Sequence, residues 1–323
     1  IPCKGLTAEV YYGAIFWDTE TYCMPFYMFN NPKAARNLLL YRHKYLPQAI
    51  ERAKQLDCEG ARYPMITLDG TESCSTWQHG DFEIHVSVAI AYAIWHYYHI
   101  MHDDALLYKQ GIEMLLQICR FYASWGDFSP KNGDFCLYGV MGPDEYHMNV
   151  NNNCYTNVMV KKCFEFTLKV AEEMKKKAPK EWAAVSKKVK LRSDELGNWK
   201  TMAKKMRIPM DKKTGIYEQH DGYFDLPEVD VKHLPESPVF VGDIESILCK
   251  RLPCPLVFEI GEFEFIGENF TEIVGTGLDL VRPAVTTPGP GPFTLLGPHR
   301  LLTDHFTLLP GSGSSGLTFA ILF

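Results

Sequence analysis

The residues best suited to chemistry form the sequence G-P-D-E-Y-H at positions 142–147. The Gly-Pro pair predicts a turn directly before two adjacent carboxylates. Because neighbouring side chains point in different directions, Asp144 and Glu145 should differ in role, one facing a cleft and the other holding the loop. Tyr146 and His147 add a hydroxyl and an imidazole that can position a carboxylate. A helix start capped by Asp144 fits the same residues, so both interpretations remain open.

A second candidate is the sequence F-W-D-T-E at positions 16–20. The indole of Trp17 can stack on the C–H face of a pyranose, and the carboxylate of Asp18 can accept hydrogen bonds from sugar hydroxyls. This pair is therefore typical of a sugar-binding site. The alternative is a core tryptophan beside a solvated aspartate.

A third stretch is polar and aromatic, which suits the wall of a cleft. It runs from Arg62 and Tyr63 to Trp77 and His79, and His85 follows at the head of a predicted helix. The alternative for His85 is a structural role, with its ring hydrogen-bonded inside the protein.

The elements that must position these residues are helices. Apolar residues recur with a helical period in five stretches, 32–56, 82–101, 105–125, 152–174 and 183–206. Asn31 before Pro32 predicts an N-cap, and Pro47 predicts a kink or an end within the first stretch. No alternation of strands with helices is visible, so we predict an all-α barrel or bundle rather than a doubly wound sheet.

Composition excludes several function classes. A hydrophobic content of 46% with 22% charged residues predicts a globular protein. The net charge of −6 argues against nucleic-acid binding, and we interpret the lysine-rich region 161–213 as a solvated face. The longest apolar run, residues 86–95, is too short to cross a membrane.

Ten cysteines without a paired framework indicate a reducing compartment, so a cytoplasmic location is expected. Because the chain begins with Ile1 rather than Met, a fragment is expected.

Histidines and cysteines at metal-ligand spacing give only weak metal signals. His96, His99 and His102 share a helix face, and Cys249 and Cys254 form a C-x4-C pair. Neither set has the further ligands of a complete site, so no metal is expected.

Taken together, seven blocks of sequence resemble glycoside hydrolase family 65, the inverting disaccharide phosphorylases of the maltose, kojibiose, nigerose and trehalose type. The resemblance covers about residues 5–238. The blocks are F-W-D-T-E at 16–20, Y-R-H-K-Y-L-P-Q-A at 41–49, G-A-R-Y-P-M at 60–65, I-H-V-S at 84–87, G-P-D-E-Y-H at 142–147, N-N-C-Y-T-N at 152–157 and Y-E-Q-H-D-G-Y-F at 217–224.

The resemblance implies an all-α fold, a partial (α/α)6 barrel of the six-hairpin-glycosidase kind, over residues 1–238. It implies that Glu145 is the general acid and that Trp17 and Asp18 grip the glucosyl ring. The full set of substrate-binding residues expected from the resemblance and the residue types is Trp17, Asp18, Arg62, Tyr63, Trp77, His79, His85, Asp144, Tyr146, His147, Glu218 and Gln219.

The reaction that the resemblance implies is phosphorolysis of an α-linked glucose disaccharide with inversion, which gives β-glucose 1-phosphate and a free sugar. Inorganic phosphate is the co-substrate, no cofactor is expected, and a homodimer is the suggested assembly. Two alternatives remain. One is an inverting α-glucoside hydrolase, in which a second carboxylate activates water. The other is a non-catalytic fragment that lacks the phosphate site.

Residues 239–323 depart from the family pattern. The Lys-Gln pair and the serine-rich phosphate pocket of the family are not recognisable there, and no counterpart of the family's N-terminal β-sandwich domain is expected in this sequence. Short β-like runs and dense Gly, Pro and Ser punctuation predict a low-order or irregular tail. We interpret this tail as an artefact of gene prediction, with a divergent replacement as the alternative, and the barrel as incomplete.

Overall fold

The structure is a computed structural model that describes residues 13–227. These residues fall into two compact units, one ending at Pro209 and the other beginning at Met210. The predicted tail over residues 239–323 lies outside the described residues, and the domain boundary at residue 238 stays a prediction. Among residues 13–227, no helix is both long enough and apolar enough to cross a membrane.

The first unit is built from helices. Two of them are extended by single π-helical segments, Thr19–Cys23 before α1 and Leu107–Gly111 before α7. The helices are α1 (Met24–Asn30), α2 (Pro32–Lys44), α3 (Leu46–Gln55), α4 (Trp77–Phe82), α5 (His85–Met101), α6 (Asp104–Leu106), α7 (Ile112–Trp125), α8 (Cys154–Lys177), α9 (Pro179–Lys188) and α10 (Glu195–Lys205).

The centre of the unit is α5. Its first ten residues, 85–94, are all buried, as expected of a helix that is apolar around its whole circumference. It packs against α2, α7 and α8, and α8 in turn packs against α7 and α10. The head of α5, where His85 lies, is therefore fixed from several sides.

Local signals in the sequence set most of the helix limits correctly. The Asn31 side chain accepts a hydrogen bond of 3.1 Å from the amide of Ala34, which confirms the predicted N-cap. The predicted break near Pro47 is confirmed, since α2 ends at Lys44 and α3 begins at Leu46.

One predicted helix is wrong. The stretch 183–206 contains the end of α9 and the whole of α10, with a turn between them in which Lys190 has a φ of +51°. Arg120 on α7 donates hydrogen bonds to the carbonyls of Val189 (2.7 Å) and Lys190 (3.1 Å). The same guanidinium also binds the carboxylate of Glu195. This tertiary contact ends α9 where the local sequence would continue it.

A short hairpin connects α7 to the loop of greatest chemical interest. Strands β1 (Asp127–Phe128) and β2 (Phe135–Cys136) pair antiparallel. After β2, Val140 and Val150 exchange two backbone hydrogen bonds of 2.8 Å, which close the loop between them. The hairpin thus delivers this loop to the N-terminus of α8.

The described part of the second unit, residues 210–227, has little regular structure. Met210 and Tyr217 form an isolated antiparallel bridge, and a 3-10 turn spans Tyr223–Asp225. The ring of His220 packs edge-on against the ring of Tyr223 at 5.3 Å.

Candidate active site

The loop 140–150 carries Glu145 and is seated on the N-terminus of α8. Asn153 is the N-cap of α8, where its side-chain oxygen accepts a hydrogen bond of 3.0 Å from the amide of Thr156. Gly142 lies directly over this cap, and a Cβ there would come within 2.6 Å of the Asn153 Cγ. Only glycine therefore permits this close approach, which fixes the loop against the helix.

The two adjacent carboxylates of this loop face different surroundings. Asp144 Oδ1 accepts a hydrogen bond of 3.1 Å from the backbone amide of Tyr146, and Asp144 Oδ2 lies 3.7 Å from His147 Nε2. The Asp144 side chain is 12% exposed, whereas that of Glu145 is 46% exposed. Asp144 thus holds the loop, and the Glu145 carboxylate stays accessible to a ligand.

Two further side chains meet Glu145. The distance from His79 Nε2 to Glu145 Oε2 is 3.7 Å. One ligand atom each from His79, Glu83 and Glu145 lie within 4.8 Å of one another, so this set could hold a divalent cation. Glu83 is not among the site residues predicted from the sequence. A signal was present, because a carboxylate between Phe82 and Ile84 at the head of an apolar helix is a candidate buried acid.

The indole of Trp17 reaches the same cluster through His85. The two ring centroids are 4.9 Å apart and the rings are nearly perpendicular, at 85°. On its other side, His85 Nε2 lies 3.8 Å from Glu83 Oε2. A continuous set of contacts therefore runs from Trp17 through His85 and Glu83 to Glu145. Trp17 and the predicted acid share one region of the molecule.

A buried ion pair anchors the segment that carries Trp17 and Asp18. Arg42 on α2 binds both carboxylate oxygens of Glu20, at 2.6 Å and 2.8 Å, and also the carbonyl of Phe16 at 3.0 Å. Both side chains of the pair are only 1% exposed. Because Phe16 and Glu20 flank Trp17 and Asp18, this contact sets the position of both predicted sugar-binding residues.

The electrostatic setting of Glu145 favours its protonated form. Burial by the surrounding protein raises the pKa of Glu145, a hydrogen bond with Glu83 lowers it, and the negative charges of Asp144 and Asp18 raise it further. The net effect is a pKa above the usual value for a glutamate. A raised pKa is what a general acid needs in order to hold its proton near neutral pH.

Arg62 and Tyr63 lie beneath the site, in the protein interior, with exposures of 0% and 1%. The guanidinium of Arg62 donates to the carbonyls of Tyr63, Gly80 (2.7 Å) and Glu83 (3.3 Å). It also donates to the carboxylate of Glu72 at 3.2 Å. Arg62 therefore ties the loop after α3 to the segment between α4 and α5.

Three more of the predicted residues have contacts of their own. Trp77, at the start of α4, is 60% exposed, and its ring packs edge-on against Phe82 at 5.6 Å. Glu218 accepts a hydrogen bond of 3.1 Å from the amide of Gly222, and Gln219 is buried, both within the second unit. Their roles as substrate contacts stay predictions.

Comparison with known proteins decides the family. Residues 1–241 match the glycosyl hydrolase family 65 central catalytic domain. The chain belongs to this family. Two curated relatives are an alpha,alpha-trehalose phosphorylase of Thermoanaerobacter brockii, 37% identical over 238 residues, and a 1,2-alpha-glucosylglycerol phosphorylase of Bacillus selenitireducens, 39% identical over 244 residues. The alignments cover 73% and 71% of this chain but 31% and 32% of the relatives. The family 65 chain therefore spans about a third of the length of the curated relatives it matches.

A solved structure from the human microbiome, assigned as a kojibiose phosphorylase, has a similar fold. The superposition has a TM-score of 0.72 at 36% identity and covers 86% of this family 65 chain and 36% of that chain. The family expected from the seven sequence blocks is confirmed, and so is the all-α fold of the partial barrel.

Proposed function

We propose that this family 65 chain supplies the acid side of an inverting phosphorylase that acts on an α-linked glucoside. Glu145 transfers its proton to the glycosidic oxygen, and the bond from C1 to that oxygen breaks with its electron pair left on the oxygen. A phosphate oxygen forms the new bond to C1 from the opposite face. The products are β-glucose 1-phosphate and the released sugar.

The observation that carries this proposal is the setting of Glu145. Its carboxyl is accessible to a ligand, its pKa is raised, and it belongs to the cluster that Trp17 reaches through His85. The names of the relatives, which are phosphorylases of different glucosides, support the class of reaction. Because those names differ in the second sugar or alcohol, the proposal specifies the glucosyl part of the substrate alone.

The decisive test replaces the acid by its neutral isostere. Glu145→Gln should lower the rate of glucose 1-phosphate formation by about a hundredfold to ten-thousandfold, the usual worth of a general acid. The assay incubates the protein with phosphate and each of trehalose, kojibiose, nigerose and maltose in turn, and it separates glucose 1-phosphate from free glucose. Glu51→Gln is the matched control, since Glu51 is an exposed glutamate on α3 and should have no effect. Unchanged turnover in Glu145→Gln would remove the proposed acid.

The same assay without phosphate distinguishes the alternatives. Free glucose formed in the absence of phosphate would favour an inverting hydrolase. The absence of any turnover in the wild-type chain, with correct folding, would favour a non-catalytic fragment. The serine-rich phosphate pocket of the family is not recognisable in the sequence of residues 239–323, which lie outside the described residues.

The pKa of Glu145 also predicts the pH dependence of the reaction. The acid is active while protonated, so the rate should fall as the pH rises through the raised pKa of Glu145. Phosphate and a small glucoside are the proposed partners. A homodimer and a cytoplasmic location stay predictions.

A further inference from the structure

The side chains of His79, Glu83 and Glu145 bring three metal-ligand atoms together at the candidate active site. One atom of each side chain lies within 4.8 Å of those of the other two, and His79 Nε2 is 3.7 Å from Glu145 Oε2. A tetrahedral zinc ion, with bonds of about 2.0–2.2 Å to nitrogen and oxygen, holds its ligand atoms about 3.3–3.5 Å apart. Small rotations of the side chains would therefore bring all three around one ion.

Two segments of the chain supply these ligands at different depths. His79 lies on α4, and Glu83 follows one helical turn later, with its backbone amide bonded to the carbonyl of His79 at 3.2 Å. Residues four apart on a helical turn share one face, so both side chains reach the same side. Glu145 comes from the loop 140–150. The side chain of Glu145 is 46% exposed and that of Glu83 only 1%, so an ion can enter at Glu145 and be held from the interior by Glu83.

Two buried polar atoms at this position point to a ligand. Glu83 Oε1 is buried and has no hydrogen-bond partner among the described residues, and the same holds for His85 Nε2. His85 Nε2 lies 3.8 Å from Glu83 Oε2. His85 Nδ1 faces the carbonyl of Met141 at 3.4 Å, and because a carbonyl only accepts, we place the ring proton on Nδ1 and a lone pair on Nε2. Buried polar atoms are nearly always paired, and a cation would satisfy these two lone pairs together.

The charges and the donor types at this position suit a divalent transition-metal ion. Glu83 and Glu145 supply two carboxylates, which balance two positive charges. Arg62 approaches the backbone carbonyl of Glu83 at 3.3 Å, but its guanidinium is paired with the carboxylate of Glu72 at 3.2 Å. One imidazole nitrogen with carboxylate oxygens is a donor set of zinc sites, whereas calcium and magnesium prefer oxygen ligands alone. The set therefore favours Zn²⁺ over Mg²⁺ and Ca²⁺.

We propose that His79, Glu83 and Glu145 form a binding site for Zn²⁺ or a chemically similar transition-metal ion, and that the bound ion inhibits the enzyme. Three protein ligands leave the fourth tetrahedral position to water. The inhibition rests on the proposed function of Glu145, because an ion bonded to Glu145 takes the oxygen lone pair that would otherwise hold the transferable proton. The binding itself does not depend on that function.

Titration of the 323-residue chain with Co²⁺, a coloured substitute for Zn²⁺, tests the site without any need for turnover. The wild type should develop a saturable visible absorption with one equivalent of Co²⁺, and Zn²⁺ but not Mg²⁺ should displace it. His79→Ala, Glu83→Gln and Glu145→Gln should each weaken binding by at least about tenfold, no less than the loss of an outer-shell partner of a metal site. His102→Asn is the matched control, since His102 is exposed and asparagine tolerates its φ of +51°. Its binding should equal that of the wild type.

The site is overturned if the wild type shows no saturable absorption, or if folded His79→Ala or Glu83→Gln binds Co²⁺ as tightly as the wild type. Turnover gives a separate readout of the inhibition. Formation of glucose 1-phosphate should fall as Zn²⁺ occupies the site, and EDTA should restore it. His79→Ala should need at least about tenfold more Zn²⁺ for half-inhibition, and an equal requirement would overturn inhibition through this site. Undiminished turnover with the ion bound would instead refute Glu145 as the acid and leave the ion site standing.

Discussion

The ion pair between Glu20 and Arg42 predicts a large loss of stability when one partner is removed. Both side chains are 1% exposed and share two hydrogen bonds, of 2.6 Å and 2.8 Å. Glu20→Ala leaves the guanidinium of Arg42 buried without its counter-ion, which typically costs about 3–5 kcal/mol. The stability of a whole domain is only about 5–15 kcal/mol, so this one substitution should remove a large part of it.

Urea unfolding, followed by tryptophan fluorescence, measures this effect. Glu51→Ala is the matched control, because Glu51 pairs with Lys54 at exposures of 61% and 65%. An exposed pair is worth no more than about 1 kcal/mol. The double variant Glu20→Leu with Arg42→Met should recover much of the loss, since it leaves no unpaired charge in the interior.

The substitution Glu20→Ala should also affect the candidate active site. Arg42 binds the carbonyl of Phe16, the residue before Trp17, so Glu20→Ala should weaken glucoside binding in proportion to the disorder of that segment. A loss of stability below about 1 kcal/mol, equal to that of the exposed control, would refute the reasoning that this pair holds the Trp17 segment.

Two more predictions follow from single contacts. Gly142→Ala should cost at least the ~1 kcal/mol typical of a lost N-cap, because the new Cβ displaces the cap residue Asn153, and it should lower kcat by moving Glu145. Thermal unfolding and steady-state kinetics measure both effects, and an unchanged melting temperature would contradict the close approach. Burial opposes ionisation of Glu195, but hydrogen bonds, chiefly from Arg120, prevail and lower its pKa. Glu195 therefore stabilises the fold above its unfolded pKa of about 4.3 and loses this effect as the pH falls through its lower folded pKa, so Glu195→Gln should flatten the acid limb of a pH series of melting temperatures.

Local sequence signals predicted the elements that present the site. The N-cap Asn31 acts within one turn of its own helix, and the break near Pro47 follows from the shape of a single residue. Such signals depend on neighbouring residues in the sequence, so they act in the same way in different tertiary structures. The blocks around Trp17 and Glu145 were recognisable for the same reason, since each is a short segment of distinctive residues.

Contacts between distant segments could not be predicted in this way. The end of α9 depends on Arg120, which lies 69 residues before Val189 in the sequence. The guanidinium of Arg120 donates a hydrogen bond to the carbonyl oxygen of Val189. The importance of Glu83 depends on Glu145, which a separate loop brings to within 4.8 Å. Nothing in the sequence around either residue reports these distances.

The acid side of the proposed reaction can be separated from the phosphate side by geometry alone. The contacts that define it join Trp17, His85, Glu83 and Glu145, all within the first unit. In an inverting displacement the proton donor and the attacking group act on opposite faces of the sugar. Binding of a glucosyl ring at Trp17 thus requires no phosphate, and it can be measured in the absence of phosphate. If a glucoside binds without turnover, the defect lies in the chemical step and not in the recognition of the glucosyl ring.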